Sequence, residues 1–122
     1  MILTPKDTSA FLHARDQFHI WHLQTKGFAE HGALGDFYDG VINAFDSIVE
    51  TDQQAGRLAV PTTLAPFKTY EQGIASTYLT DTFAPVVQAL YSKSDVSRPG
   101  IANLLADVSN IIDHTLFKLS LK

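Results

Sequence analysis

"HIWHLQTKGFAEHGALGDFYDGVINAFDSIVE", residues 19–50, decides the fold of this chain. After Gly27 the apolar positions Phe28, Leu34, Tyr38, Val41, Ile42, Phe45, Ile48 and Val49 recur at steps of three and four, the pattern of an amphipathic helix running from Phe28 toward Gly56. Gly27 itself, directly behind Lys26, reads as a left-handed stop for a preceding helix. That helix opens at "TPKD", residues 4–7: Thr4 is the N-cap, Pro5 takes the first helical position and Asp7 stands three residues after the cap, a close variant of the capping box. Helix A is therefore expected over residues 5–26 and helix B from Phe28 toward Gly56. Two long helices joined by so short a turn must fold back as an antiparallel hairpin.

Downstream of helix B, "GRLAVPTTLAPFKTYEQG", residues 56–73, carries two prolines and two glycines and reads as a long connection, with one helical turn expected near Phe67–Gln72. "IASTYLTDTFAPVVQALYS", residues 74–92, is the expected third helix, with Pro85 set to kink it or shift its start. "SRPG" at 97–100 opens a fourth, in which Ile101, Leu104, Leu105, Val108, Ile111, Ile112, Leu116 and Leu119 trace a continuous apolar stripe. The expected fold class is all-α, one domain over residues 1–122: a ferritin-like four-helix bundle with a short turn between the first two helices and a long crossover between the second and third.

Composition narrows the function. A chain of 122 residues, 45% hydrophobic and 18% charged, suits a single globular domain. It contains no cysteine, which excludes disulfides, thiolate metal sites and thiol nucleophiles, so any metal must take nitrogen and oxygen ligands. A net charge of −4 without a Lys/Arg cluster predicts no nucleic-acid binding. No segment approaches the roughly 18 apolar residues of a membrane span, and "MILTPKDTSA" lacks a basic segment followed by an apolar one, so a cytoplasmic protein is expected. No G-x-S-x-G nucleophile motif is present.

Three of the five histidines, His19, His22 and His31, flank Gly27. The hairpin sets His22 and His31 at similar height on neighbouring helices, with His19 one turn further back. At about 100° per residue, Asp39, Asp46 and Glu50 fall about 80°, 60° and 100° from His31, in roughly one quadrant of helix B. At about 1.5 Å per residue, however, Asp46 lies roughly 22 Å along the axis from His31, too far to share an ion within one chain. An antiparallel helix B of a second copy, crossing near Asp39 and Gly40, would bring its Asp46 and Glu50 opposite the histidines. The expectation is a homodimer through helices A and B with two symmetry-related metal sites formed by His19, His22, His31, Asp39, Asp46 and Glu50.

In the spacing of His19, His31, Asp46 and Glu50 the chain resembles the mini-ferritins, the DNA-binding proteins from starved cells. His22 competes with His19 for the first position, because "HLQTKG" is similar to the family's His-Trp-Asn-x-Lys-Gly segment with three residues deleted. The "FAEHGALGDFYDG" stretch is also similar to small ferritin-like proteins encoded by bacteriophages, which would place the chain in a host cytoplasm or a virion. The resemblance spans residues 10–52 and implies iron bound between subunits, ferroxidase activity with iron storage or detoxification, and assembly of dimers toward a twelve-subunit cage. One position departs from it: Gly35 stands where the family has an aspartate. Asp36 is turned by about 100° from that position and Asp39 lies one turn on, so neither replaces it. Imidazole with carboxylate also suits zinc or manganese. The family's DNA binding rests on basic tails, here reduced to Lys6, Lys118 and Lys122, and is not implied.

Other residues have simpler readings. Trp21, Tyr38 and Phe45 are expected in the core or the dimer interface. Asp113-His114-Thr115 has no third partner and reads as helix surface. Gly35 and Gly40 cost about 1 kcal/mol each relative to alanine inside helix B, which points either to close helix approach or to a tolerated cost. The competing reading of the whole chain is a metal-free structural or interaction protein, such as a virion or host-binding component, in which the lost aspartate marks lost chemistry.

Overall fold

The computed structural model describes residues 3–52, 58, 60, 61 and 63–121. Among these the chain is helical: α1 (Pro5–Gln24), α2 (Phe28–Thr51), α3 (Ile74–Tyr78), a π turn (Leu79–Phe83), α4 (Ala84–Lys93) and α5 (Pro99–Ser120). Backbone angles stay right-handed helical through Tyr78, Leu79, Phe83 and Ala84, so α3, the π turn and α4 form one continuous helix and the described residues form four helices. No helix of the described residues is long and apolar enough to cross a membrane.

The capping box at the start of α1 forms as expected: Thr4 Oγ1 accepts from the Asp7 amide at 3.1 Å and Asp7 Oδ2 accepts from the Thr4 amide at 3.0 Å. The end of α1 differs from expectation. It stops at Gln24, and Gly27 has φ −85° and ψ 124°, an extended conformation serving as the N-cap of α2. The helix ends because Thr25 turns extended, at φ −65° and ψ 148°, while its hydroxyl donates across the turn to Glu30 Oε1. A side chain that satisfies the turn locally makes a left-handed residue unnecessary. The one described glycine at positive φ is Gly73, at +82°, just ahead of α3.

α2 ends at Thr51, and Gly56, its expected stop, lies outside the described residues, as does Lys122. The helical turn expected at Phe67–Gln72 is absent, since 63–71 are non-helical. The Lys68 and Tyr70 amides donate to the side chains of Gln17 and Gln24, at 2.7 Å each, and so are unavailable for a helical ladder.

Pro85, expected to kink this helix or shift its start, stands in the first turn of α4, which begins at Ala84 directly after the π turn. The Ala84 amide reaches back five residues to the Leu79 carbonyl, and this π turn loosens the backbone just ahead of the proline ring. It also corrects a drift. The buried residues Ala75, Leu79, Phe83 and Val87 are spaced by four, which in a plain α-helix would carry the stripe about 120° round; the extra residue takes back about 100°.

α1 packs on α2, α2 on α5, and α5 on α4, while α1 also touches the π turn. Arg98, the N-cap of α5, donates to the Thr51 carbonyl at 2.8 Å and pairs with Asp52, tying the start of α5 to the end of α2. A guanidinium there satisfies an orphan carbonyl and complements the negative end of the helix dipole. At the opposite end Tyr70, three residues before Gly73, is held by Gln24 at the end of α1. The third helix therefore begins beside the α1–α2 turn and runs in the direction of α2, and α5 returns. Inside, Phe18 lies 4.1 Å from Phe37 between ring centroids, and Phe11 lies 5.2 Å from both Phe45 and Phe83. All these rings are buried, each contributing about 2–3 kcal/mol of transfer free energy.

Candidate functional site

The three histidines around Gly27 come together as the sequence implies, with a specific division of roles. His22, in the last turn of α1, and His31, in the first turn of α2, stack with ring centroids 3.6 Å apart and planes inclined by 19°. Each donates Nδ1–H to the other's backbone: His22 to the His31 carbonyl at 2.6 Å and His31 to the His22 carbonyl at 2.7 Å. The His22 carbonyl is one of the last four of α1, which lack a helical donor, so His31 supplies the missing bond. Both rings are half-buried, and neither Nε2 has a hydrogen-bond partner among the described residues.

Gly35 makes this arrangement possible. A Cβ at that position would stand 2.9 Å from His22 Cε1 and 3.0 Å from His22 Nδ1, so the imidazole occupies the space of the absent side chain. Tyr38 extends the cluster: His19 stacks on it at 4.5 Å and His22 meets it edge-on at 5.4 Å. His19 is exposed, and its ring centroid is 6.3 Å from that of His22. Of the two candidates for the first position, His22 is the one brought against His31.

The carboxylates stand apart from the histidines. Asp39, Asp46 and Glu50 are exposed on α2, and no group of three His, Cys, Asp or Glu side chains among the described residues is close enough to hold an ion. Asp36 pairs with Lys118 of α5 at 3.2 Å. Gly40 faces Ile111, whose Cδ1 would lie 3.4 Å from an added Cβ, a close α2–α5 approach. Trp21 and Phe45 are buried and Tyr38 is half-buried. Asp113 and His114 are exposed on α5, whereas Thr115 is buried and its hydroxyl donates to the Ile111 carbonyl at 2.8 Å.

A family model, described as a family of unknown function (DUF5856), matches residues 22–119. The chain belongs to DUF5856. The match opens at His22 and so takes in His22, His31, Gly35, Asp46 and Glu50. No curated protein and no solved structure matches the chain.

A second polar feature of this DUF5856 chain was hidden in the sequence. On the face of α1 away from α2, His13, Gln17, Trp21 and Gln24 clamp residues 66–70. Gln17 both donates to the Lys68 carbonyl at 3.0 Å and accepts from the Lys68 amide; Trp21 Nε1 donates to the same carbonyl at 2.9 Å. His13 is buried, stacked on Phe67 at 4.8 Å, with Nδ1 2.7 Å from Tyr78 Oη and Nε2 3.4 Å from the Pro66 carbonyl. Burial pushes the Tyr78 hydroxyl well above the usual tyrosine range, so it stays protonated and donates to His13 Nδ1. The signal for this clamp was the four-, four- and three-residue spacing of the polar-tipped stripe, obscured because α1 buries Thr8, Ser9, His13 and Gln17 alongside Phe11, Ala14 and Phe18.

Proposed function

We propose that this DUF5856 protein is a ferritin-like bundle that binds a divalent metal ion, iron first among the candidates, in the manner of the mini-ferritins. In this reading the α2–α3 connection is the long crossover of that fold, and a second copy supplies Asp46 and Glu50 to the histidines of the first. The observation that carries it is the pair of Nδ1–H bonds to backbone carbonyls. They fix the tautomer of His22 and His31 and leave each Nε2 lone pair free, the support that metal-bound imidazoles characteristically receive.

The donor chemistry fits Fe(II), and equally Zn(II) or Mn(II), as a nitrogen-plus-carboxylate set. The stacked rings of His22 and His31 would hold the ion through Nε2, together with carboxylates supplied by a second copy. Gly35 removes one carboxylate from that set, which weakens the second position most. When bound, iron would supply the redox chemistry of a ferroxidase; the chain's own part is to present the two Nε2 atoms at a fixed height on the hairpin.

A metal-free helical interaction protein is the competing reading, and one observation favours it: the reciprocal clasp closes the α1–α2 turn by itself and so gives both histidines a structural role. Light scattering on a size-exclusion peak, followed by elemental analysis after anaerobic Fe(II) loading, separates the two. The metal reading expects an oligomer retaining iron, and an Asp46→Asn/Glu50→Gln variant that still assembles but retains little, since both carboxylates are exposed and hold no described partner. A His31→Ala/Glu50→Ala variant should also be empty. Equal iron in wild type and the carboxylate variant, or none in wild type, would overturn the metal reading and leave the interaction protein.

A further inference from the structure

A cleft of about 880 Å3 lies at the α1–α2 turn end of the bundle, between that turn, the residues leading into α3 and the last turn of α5. It has no part in the histidine cluster, since neither His22 nor His31 lines it. Its organising group is Glu30. One carboxylate oxygen, Oε1, accepts from both the Thr25 and Tyr70 hydroxyls. The other, Oε2, has no partner among the described residues. This bond to Glu30, more than burial, raises the Tyr70 pKa, so the phenol stays a donor and the carboxylate an acceptor.

Around Glu30 the lining is rich in uncharged groups that donate and accept at once. The amide of Gln72 and the hydroxyls of Thr69 and Ser76 have no hydrogen-bond partner among the described residues, and Gln24 uses only its carbonyl oxygen, on the Tyr70 amide. Charge does not select a simple ion: the lining holds both the Glu30 carboxylate and the Lys26 ammonium, while Lys118 is paired with Asp36. The size suits a ligand of roughly 10–25 heavy atoms, within the range of about 300–1,000 Å3 for small-molecule sites.

From these features we infer that the cleft binds a neutral polyhydroxylated ligand of mono- to disaccharide size. Each ligand hydroxyl both gives and takes a hydrogen bond, matching a wall of amides and hydroxyls around one carboxylate oxygen with open capacity. The inference is independent of metal binding.

Saturation-transfer NMR on the full chain tests it, with maltose and N-acetylglucosamine as probes and citrate and glycine betaine as charged and zwitterionic controls. Transfer from at least one saccharide is expected, with at least fivefold weaker affinity in Gln72→Ala and in Ser76→Ala. Those side chains hold nothing in the fold, so the variants should keep the wild-type circular dichroism spectrum. Glu30→Gln, which leaves the carbonyl acceptor for Tyr70, should weaken binding further. Absence of transfer from both saccharides, transfer only from a control, or saccharide transfer unchanged in all three variants would overturn the assignment.

Discussion

Replacing Gly35 with alanine gives opposite signs in two backgrounds. At an open helical position the change stabilises a protein by about 1 kcal/mol, through backbone entropy. Gly32, one turn earlier, is such a position, with nothing within 4 Å of an added Cβ. At Gly35 the methyl would meet His22 Cε1 at 2.9 Å, so the ring must leave. Leaving costs the bond to the His31 carbonyl, about 1 kcal/mol, and the stack on His31, about another. Gly35→Ala should therefore destabilise wild type by about 1 kcal/mol, the two losses less the helix gain. With His22 already replaced by alanine, the methyl meets no ring and the same change should stabilise by about 1 kcal/mol, a coupling of about 2 kcal/mol between the two positions. Urea denaturation followed by circular dichroism measures all four corners of the cycle, with Gly32→Ala as control. If Gly35→Ala stabilises both backgrounds equally, the ring does not rest on Gly35 and the account of this departure from the mini-ferritin pattern fails.

Two further outcomes are expected. Gln17→Ala removes both bonds to the Lys68 backbone from a residue that is buried, and should cost about 2–3 kcal/mol; amide exchange at Lys68 and Tyr70 should accelerate together, and unchanged exchange would mean the clamp is not what holds 66–70. Stability should also fall on the alkaline side. Because burial raises the Tyr78 pKa in the folded state, the protonated phenol's contribution is complete below the unfolded value of about 10 and is lost as pH rises above it. Tyrosinate absorbance at pH 11 in Tyr78→Phe against wild type checks this: equal signals are expected, and a wild-type excess of one tyrosinate would show that Tyr78 is already ionised and refute the raised pKa.

The parts of the fold that rest on periodicity were legible. The stripes of α2 and α5 are regular enough that burial at Val41, Phe45, Ile48, Ile101, Leu105, Val108 and Ile112 follows from spacing alone. Three features were not. Thr25 ends α1 through a side-chain contact with Glu30, five residues on, which no local stop signal encodes. The non-helical run before Gly73 replaces the expected helical turn because the Lys68 and Tyr70 amides are taken by glutamines more than 40 residues away in sequence. Pro85 marked the start of a helical segment, as α4 shows, but the π turn that joins it to α3 has no signal in spacing. At the candidate site, the meeting of His22 with His31 followed from the hairpin; the reciprocal bonds and the filling of the Gly35 space depend on side-chain rotamers, which spacing does not specify.

The π turn divides the third helix into two segments whose angular settings differ from those of an uninterrupted α-helix. On one side, Tyr78 faces His13; on the other, Val87 and Leu90 face the core shared with α5. Deleting a single residue between Leu79 and Phe83 would restore plain α-helical winding and swing the first segment by about 100° relative to the second. Tyr78 would then lose His13 while Val87 and Leu90 kept their seats. A single surplus residue thus sets the angular phase between the segment that carries the clamp and the segment that carries the core, so one-residue changes in the length of this helix act on the fold as rotations.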